Sequence, residues 1–392
     1  MSTVHLTAVR LGGRPGMPLL VLGPALGTTA QTLWAPLAPE LASDFQLVAW
    51  DLPGHGTNSM VPDHPITVAD LAAGVLSLVD GMGEGIHPPT FHYAGCSVGG
   101  AVGLQLLLDA PGRVESATLL GTGARLGNAA GWEDRAETVL DSSTEALVPT
   151  AAERWFSPGF REHHPGRASS LLHALGDTVD EGYAAVCRAL AGFDLRDRLP
   201  EVAVPVLAVA GARDVSAPPE VVRAVAEGVR EGRLVVLEDV AHLAPVEAPE
   251  AVARLVREHA LGPTRDQLTV AELREVGMQV RREVLGAEHV DRAMADATEL
   301  TREFQHFITE YAWGGVWNRP VLDRRARSMI TLSALIAGGH HPELAMHLRA
   351  ARTNGLSVAE IREVIIHSAI YCGVPSANVA FRIAQELFAD EF

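Results

Sequence analysis

One serine between glycines constrains this chain more than any other stretch. Gly95-Cys96-Ser97-Val98-Gly99-Gly100 reads Gly-x-Ser-x-Gly. The strand-like Thr90-Phe91-His92-Tyr93-Ala94 precedes it, and the apolar run from Ala101 to Asp109, long enough for a buried helix, follows. A serine at a sharp strand-to-helix turn sits on strained backbone with its hydroxyl exposed. Glycines flank it because side chains there would collide with the neighbouring strand and helix. The helix amino end adds unpaired N–H groups that favour a developing negative charge. Gly and Ser are common in plain turns, so the strand before and the helix after are what predict Ser97 as a nucleophile.

Short continuous apolar runs recur around it: Leu19–Leu22, Val48–Trp50, Ala117–Leu120, Val204–Ala210 and Leu234–Leu237. Between the second of these and the serine turn, Thr67-Val68-Ala69-Asp70 opens an apolar helix with a capping box. Short apolar strands alternating with helices predict a mostly parallel sheet covered on both faces, with ligands at the carboxyl ends of its strands.

Two strand ends carry partners for Ser97. Asp214 closes Gly211-Ala212-Arg213-Asp214, and His242 follows the last run in Asp239-Val240-Ala241-His242. Serine, acid, histidine is the chain order of the α/β-hydrolases. His242 can take the serine proton near neutral pH, and Asp214 can orient the ring and stabilise the imidazolium. Either could instead be an ordinary turn residue, and Asp239 is the nearest rival for the acid. An oxyanion needs two donors. The backbone N–H of Val98 is one, and the amide of Ala25, in the loop after the first run, is the expected second. Pro24 has no N–H to offer.

From about 122 to 200 the strand pattern stops. The segment is polar and helix-rich, with Trp132, Arg135, Arg154, Trp155 and Phe156, and is expected to form a lid over the serine. Arg135 or Arg154 could bind a substrate carboxylate bidentately, or each could be a solvated helix residue.

At 392 residues the chain predicts two domains. Gly262-Pro263 ends the first, giving expected domains 1–261 and 262–392. The second shows helical pieces only, at about 269–285, 290–312, 320–338, 341–354, 357–372 and 376–390, with capping boxes at Thr269/Glu272 and Ser357/Glu360. The net charge of −17 argues against nucleic acid and against anionic membranes. No apolar run spans a bilayer, and no basic-then-apolar leader opens the sequence. Cys96, Cys187 and Cys372 are odd in number and far apart, which fits reduced thiols in a cytoplasm. No nucleotide fingerprint or metal motif is present, so no cofactor and no metal are expected.

Residues 1–260 resemble the 3-oxoadipate enol-lactonase family. The matching stretches are Leu26-Gly27-Thr28-Thr29, Asp51-Leu52-Pro53-Gly54-His55-Gly56, the serine turn, Arg154-Trp155-Phe156 and Ala241-His242-Leu243-Ala244-Pro245-Val246-Glu247. The resemblance implies hydrolysis of an enol-lactone in aromatic catabolism. Residues 272–388 resemble the 4-carboxymuconolactone decarboxylase family through Val280–Gly286, Tyr311–Gly314, Leu322–Arg325, His347–Ala351 and Tyr371–Asn378. That family is cofactor-free. Its wider superfamily includes Cys-x-x-Cys peroxide-defence proteins, but Cys372 stands alone.

Loss of CO₂ from the lactone leaves a dienolate, so the enzyme must hold carboxylates and deliver one proton. His347 is the expected acid, with Glu363 and His367, four apart on one helix face, as second candidates. Arg324, Arg325 and Arg327 are the expected carboxylate anchors, with only one of the run pointing inward. The product of the second domain would be the substrate of the first, which implies a fusion acting on small lactone carboxylates. The other reading is a generic esterase whose helical domain serves only to make homo-oligomers.

Overall fold

Seven strands carry the first unit: β1 (Thr7–Gly12), β2 (Leu19–Gly23), β3 (Gln46–Asp51), β4 (Phe91–Cys96), β5 (Val114–Leu120), β6 (Val206–Gly211) and β7 (Gly232–Leu237). The computed structural model describes residues 4–82, 88–262, 268–319 and 322–389. By contacts the chain divides into two compact units, Met1–Gly262 and Pro263–Phe392. Pro263, which the sequence marks as a break, lies outside the described residues.

The sheet order is β1-β3-β2-β4-β5-β6-β7, with β1 antiparallel to β3 and the remaining pairs parallel. β1 was not expected. It sits at the edge, and Thr7-Ala8-Val9-Arg10 alternates half-buried with exposed, unlike the mostly buried inner strands. From β2 the chain goes to β3 on one side and to β4 on the other. The switch point therefore falls between the ends of β2 and β4, which is where a doubly wound sheet opens a crevice for ligands.

Helices α1 (Val68–Asp80), α2 (Val98–Asp109), α7 (Pro219–Gly228) and α8 (Pro249–Leu261) belong to the sheet layer of this unit, and α3 to α6 to the lid. Thr67 and Asp70 form the capping box that opens α1. Between β5 and β6 lie the lid helices α3 (Ala129–Ser142), α4 (Val148–Arg154), α5 (Pro165–Gly176) and α6 (Asp180–Ala191). The two ends of the lid meet where Leu195 N–H donates to the Ala124 carbonyl at 2.8 Å.

The second unit is helical throughout its described residues: α9 (Val270–Leu285), α10 (Ala287–Ala295), α11 (Glu299–Ile308), a π-helix (Thr309–Trp317), α12 (Arg324–Gly338), α13 (His341–Thr353), α14 (Val358–Cys372) and α15 (Val374–Leu387). The single helix expected over 290–312 is thus three elements. Thr298 caps a new helix with Thr301, which ends the run at Ala295. The helix expected from 320 starts at Arg324, capped by Asp323. Leu332, Ile336, Leu348, Ile361, Ile365 and Ala380 form the main core of α12 to α15. A smaller cluster, Val280, Val284, Trp313 and Ala350, ties α9, the π-helix and α13. No described helix is long and apolar enough to cross a membrane.

Candidate active sites

Ser97 stands between β4 and α2 with φ 54° and ψ −115°, a conformation L-residues avoid. The glycines around it make that turn possible. A Cβ on Gly95 would lie 2.3 Å from the Gly99 carbonyl oxygen, and one on Gly99 would lie 2.5 Å from the Gly23 carbonyl carbon. β4, α2 and the loop after β2 therefore touch backbone to backbone. Gly99 N–H donates to Pro24 O at 2.9 Å, and Tyr93 Oη donates to Gly99 O at 2.7 Å.

His242 and Asp214 stand at the ends of β7 and β6, only 6% and 3% exposed. His242 Nδ1 lies 2.8 Å from Asp214 Oδ2, while Asp214 Oδ1 accepts the Ser216 and Ala217 N–H groups at 2.7 and 3.0 Å. Every oxygen of the carboxylate is thus directed, and the imidazole is held with Nε2 free to meet a hydroxyl. The rival Asp239 is exposed. Ser97 and His242 line one cavity of about 220 Å³, and the Ser97 hydroxyl makes no hydrogen bond among the described residues. This arrangement can deprotonate a serine as it attacks.

The backbone donors differ from expectation at one position. Val98 N–H, at the first turn of α2, has no partner among the described residues, as expected for an oxyanion donor. Ala25 N–H instead donates to Thr28 Oγ1 at 3.2 Å, and that hydroxyl donates back to Ala25 O at 2.8 Å. The amide one residue on, at Leu26, has no hydrogen bond among the described residues, and Leu26 lines the cavity. The Thr28 side chain decides this, a tertiary detail that residue spacing does not carry.

The lid brings Trp132, Arg135 and Arg154 into the same cavity, with Tyr183, which the sequence did not single out. The Arg135 guanidinium lies 5.1 Å above the Trp132 ring. Neither arginine has a carboxylate within ion-pair distance among the described residues. Burial, and then Arg135 beside it, lower the proton affinity of Arg154. Unneutralised arginines at a nucleophile favour an anionic substrate.

Two further residues hold this site in shape. His55 is fully buried. Its Nε2 accepts Gly27 N–H at 3.1 Å, its Nδ1 donates to Pro53 O at 2.8 Å, and its ring stacks on Tyr183. It thereby fixes the loop after β2. Glu247 accepts Ser157 N–H at 2.6 Å and Ala241 N–H at 2.7 Å, so one carboxylate joins the lid to the residue before His242. Their partners lie 28 and 90 residues away in sequence, so no local signal marks either role.

In the second unit His347 is half-buried and stacks on Trp313 and Trp317, with ring centroids 6.5 and 6.3 Å away. Burial lowers its proton affinity, Glu343 opposes that, and His289 adds to it. The other expected groups stand elsewhere. Glu363 and His367 share a face of α14 as expected, but it is the exposed face, opposite buried Ile361, Ile365 and Ser368. They line a groove with Met329 and Ile330, and Glu363 pairs with Arg362 at 3.6 Å. The arginines of the 324–327 run bond groups of the protein. Arg324 bonds Glu283 at 3.0 Å and Trp317 O at 3.3 Å, and Arg325 bonds Glu360 and Gly355 O. Arg327, the inward one, donates to the Leu322 and Arg319 carbonyls at 3.0 and 2.6 Å. All three are engaged by the protein itself.

The alpha/beta hydrolase family matches residues 20–255, and the carboxymuconolactone decarboxylase family matches residues 302–386. The chain belongs to both families, one in each unit. The hydrolase unit is 32% identical over 239 residues to 3-oxoadipate enol-lactonase 2 of Acinetobacter baylyi, covering 61% of this chain and 87% of that protein. It superposes on the crystal structure of the enol-lactonase from Burkholderia xenovorans LB400 with a TM-score of 0.61 and 30% identity, covering 65% of this chain and 95% of that one. The decarboxylase-family unit is 45% identical over 114 residues to 4-carboxymuconolactone decarboxylase of Acinetobacter baylyi, covering 29% of this chain and 85% of that protein.

Two predictions follow from the supports of the hydrolase site. Burial lowers the His55 pKa from 6.5 to about 4, although Pro53 O and Asp51 pull it upward. Between those values the unfolded chain binds a proton that the folded unit refuses, so stability falls as pH drops from 6.5 and levels off below about 4. At about 1.4 kcal/mol per pH unit the full loss is about 3 kcal/mol. Denaturant unfolding of the hydrolase unit at pH 7 and pH 4 should show this extra loss in the parent and not in His55→Gln. Removing both bonds of Glu247 in Glu247→Ala should slow ester hydrolysis roughly ten-fold or more through kcat, because the His242 loop loses its anchor. Glu247→Gln, which keeps one acceptor, should recover part of that rate; equal kcat in all three proteins would show that the clamp does not serve the site.

Proposed function

We propose that the chain is a bifunctional enzyme of aromatic (protocatechuate) catabolism. The helical unit decarboxylates 4-carboxymuconolactone to 3-oxoadipate enol-lactone, and the hydrolase unit opens that lactone to 3-oxoadipate. One observation carries the reading. A single chain joins relatives of these two enzymes, and the lactone left by loss of CO₂ is the kind of ester that a serine with its acid and base opens.

In the helical unit the bond to the ring carboxylate breaks and its electron pair spreads through the ring alkene to the lactone carbonyl. A proton then adds to the carbon beside that carbonyl. We assign the proton to His347. Its lowered proton affinity keeps it neutral in the resting protein, and an anionic substrate beside it raises that affinity to the level an acid needs.

In the hydrolase unit Ser97 Oγ attacks the lactone carbonyl as His242 Nε2 takes its proton, with Asp214 balancing the imidazolium. Val98 and Leu26 N–H groups meet the oxyanion. Collapse breaks the ring C–O bond and His242 protonates the leaving enolate, which becomes the ketone. Water activated by His242 then releases the acid from Ser97. Arg135 and Arg154 hold the free carboxylate, with Trp132 packed beside it.

The helical unit leaves Leu300, Phe304, Phe307, Ile370 and Tyr371 exposed, which supports self-association through this unit. Ultracentrifugation of the full chain should return an oligomer; a monomer would contradict this part. Free Cys96, Cys187 and Cys372 support a reducing, cytoplasmic setting.

Ser97→Ala should release CO₂ from 4-carboxymuconolactone at near the parent rate and accumulate the enol-lactone. Asp214→Asn should slow lactone opening by roughly three to four orders of magnitude while the fold is kept. His347→Gln should open the enol-lactone normally and lose most CO₂ release. A Ser97→Ala protein that still opens the lactone, or a folded His347→Gln protein with full CO₂ release, would remove the corresponding assignment.

A further inference from the structure

α9 and the π-helix meet backbone to backbone: a Cβ on Gly277 would lie 2.1 Å from the Thr309 carbonyl oxygen. One turn beyond Gly277, the same face of α9 carries Arg281, only 5% exposed. Its Nη1 donates to Thr309 Oγ1 at 3.2 Å and lies 4.0 Å from Met294 Sδ. Its Nε is enclosed and has no partner, and Nη2 makes no hydrogen bond among the described residues. The neighbouring arginines differ. Arg274 holds Glu310, Arg282 holds Asp291, Arg292 holds Glu288 and Arg324 holds Glu283. Arg281 alone of this group has no carboxylate among the described residues, and burial lowers its proton affinity.

A guanidinium stays charged in proteins, and a buried charge without a counter-ion is costly. Its unpaired Nε–Nη2 edge has the geometry that takes two carboxylate oxygens side by side. The surroundings place this edge near the proposed chemistry. Trp313, one turn after Thr309, stacks on His347. α10 reaches both groups, with Met294 beside Arg281 and His289 close enough to act on His347. Long π-helices are rare and are frequent at functional sites.

We propose that Arg281 binds a carboxylate of the decarboxylase substrate, the one that the reaction leaves in place. This rests on the decarboxylase reading above. A cation on the departing carboxylate would hold negative charge where the reaction must remove it, stabilising substrate over transition state. A cation on the retained carboxylate binds both states alike and orients the ring toward His347. Gln305 Oε1, the other buried side-chain polar atom without a partner among the described residues of this unit, lies one turn before Thr309 and offers a purely internal alternative.

The test compares full-length parent, Arg281→Met and Arg281→Lys. The readouts are CO₂ release, thermal unfolding, enol-lactone hydrolysis, and calorimetric binding of homocitrate γ-lactone, the saturated analogue that cannot form the dienolate. Arg281→Met should raise KM and weaken analogue binding by roughly ten- to a hundred-fold, with a smaller change in kcat. Its melting temperature should hold or rise, since an unpaired buried cation is removed. Arg281→Lys should recover part of the affinity, and lactone hydrolysis should be unchanged. A folded Arg281→Met protein with parent KM and analogue affinity overturns the proposal. So does a melting temperature that drops while KM stays put, the mark of an internal pair with Gln305. A parent that binds the analogue through Arg281 yet releases no CO₂ refutes the decarboxylase reading and leaves the carboxylate site standing.

Discussion

Backbone contact at the serine turn is the constraint on which the first unit depends. Gly95, Gly99 and Gly23 approach so closely that no side chain fits between them, and this closeness holds Ser97 at positive φ. The same contact brings the carbonyl of Pro24 onto Gly99 N–H, so the loop after β2 is registered against the amino end of α2. Strand order does the rest. Because the winding of the chain switches sides between the parallel β2 and β4, that loop and the serine share one crevice, and β6 and β7 deliver Asp214 and His242 to the same end. The chemistry of each residue is ordinary; its placement follows from packing that tolerates no extra methyl group.

Charge shapes both units in a similar way. A chain of net charge −17 nevertheless keeps Arg135 and Arg154 without carboxylate partners among the described residues beside Ser97. It keeps Arg281 without one beside the aromatic cluster of the π-helix. Among the described residues thirteen other arginines hold a carboxylate, and exposed ones such as Arg213 and Arg223 hold none. What sets these three apart is position, beside a nucleophile or in the interior, where an anionic ligand can supply the missing partner; the proposed substrates are carboxylates in both cases.

The sequence made some of this legible and hid the rest for physical reasons. Ser97, Asp214 and His242 each follow a short apolar run, so local pattern and chain order single them out, and the structure sets His242 against Asp214 and lines one cavity with Ser97 and His242. The two-residue difference between a capped new helix at Thr298 and an unbroken run was missed, although Thr298 is itself a capping residue. That the Ala25 amide is engaged depends on where Thr28 turns its hydroxyl. Arg324 and Arg325 looked available because their partners, Glu283 and Glu360, lie 41 and 35 residues away. Arg281 was hidden for the opposite reason: within Arg281-Arg282 nothing local says which guanidinium faces Asp291 and which faces inward. His55 and Glu247 each join a distant segment to a near one, and the distant partner leaves no local signal.

The central claim is that one chain performs two consecutive reactions. The most direct measurement is a time course by NMR of 4-carboxymuconolactone with the unmodified full-length protein as the sole catalyst. The account predicts equal amounts of CO₂ and 3-oxoadipate, with the enol-lactone as the only intermediate between them. Substrate that persists unchanged, while added enol-lactone is still hydrolysed, would contradict it and leave an esterase carrying a helical assembly module.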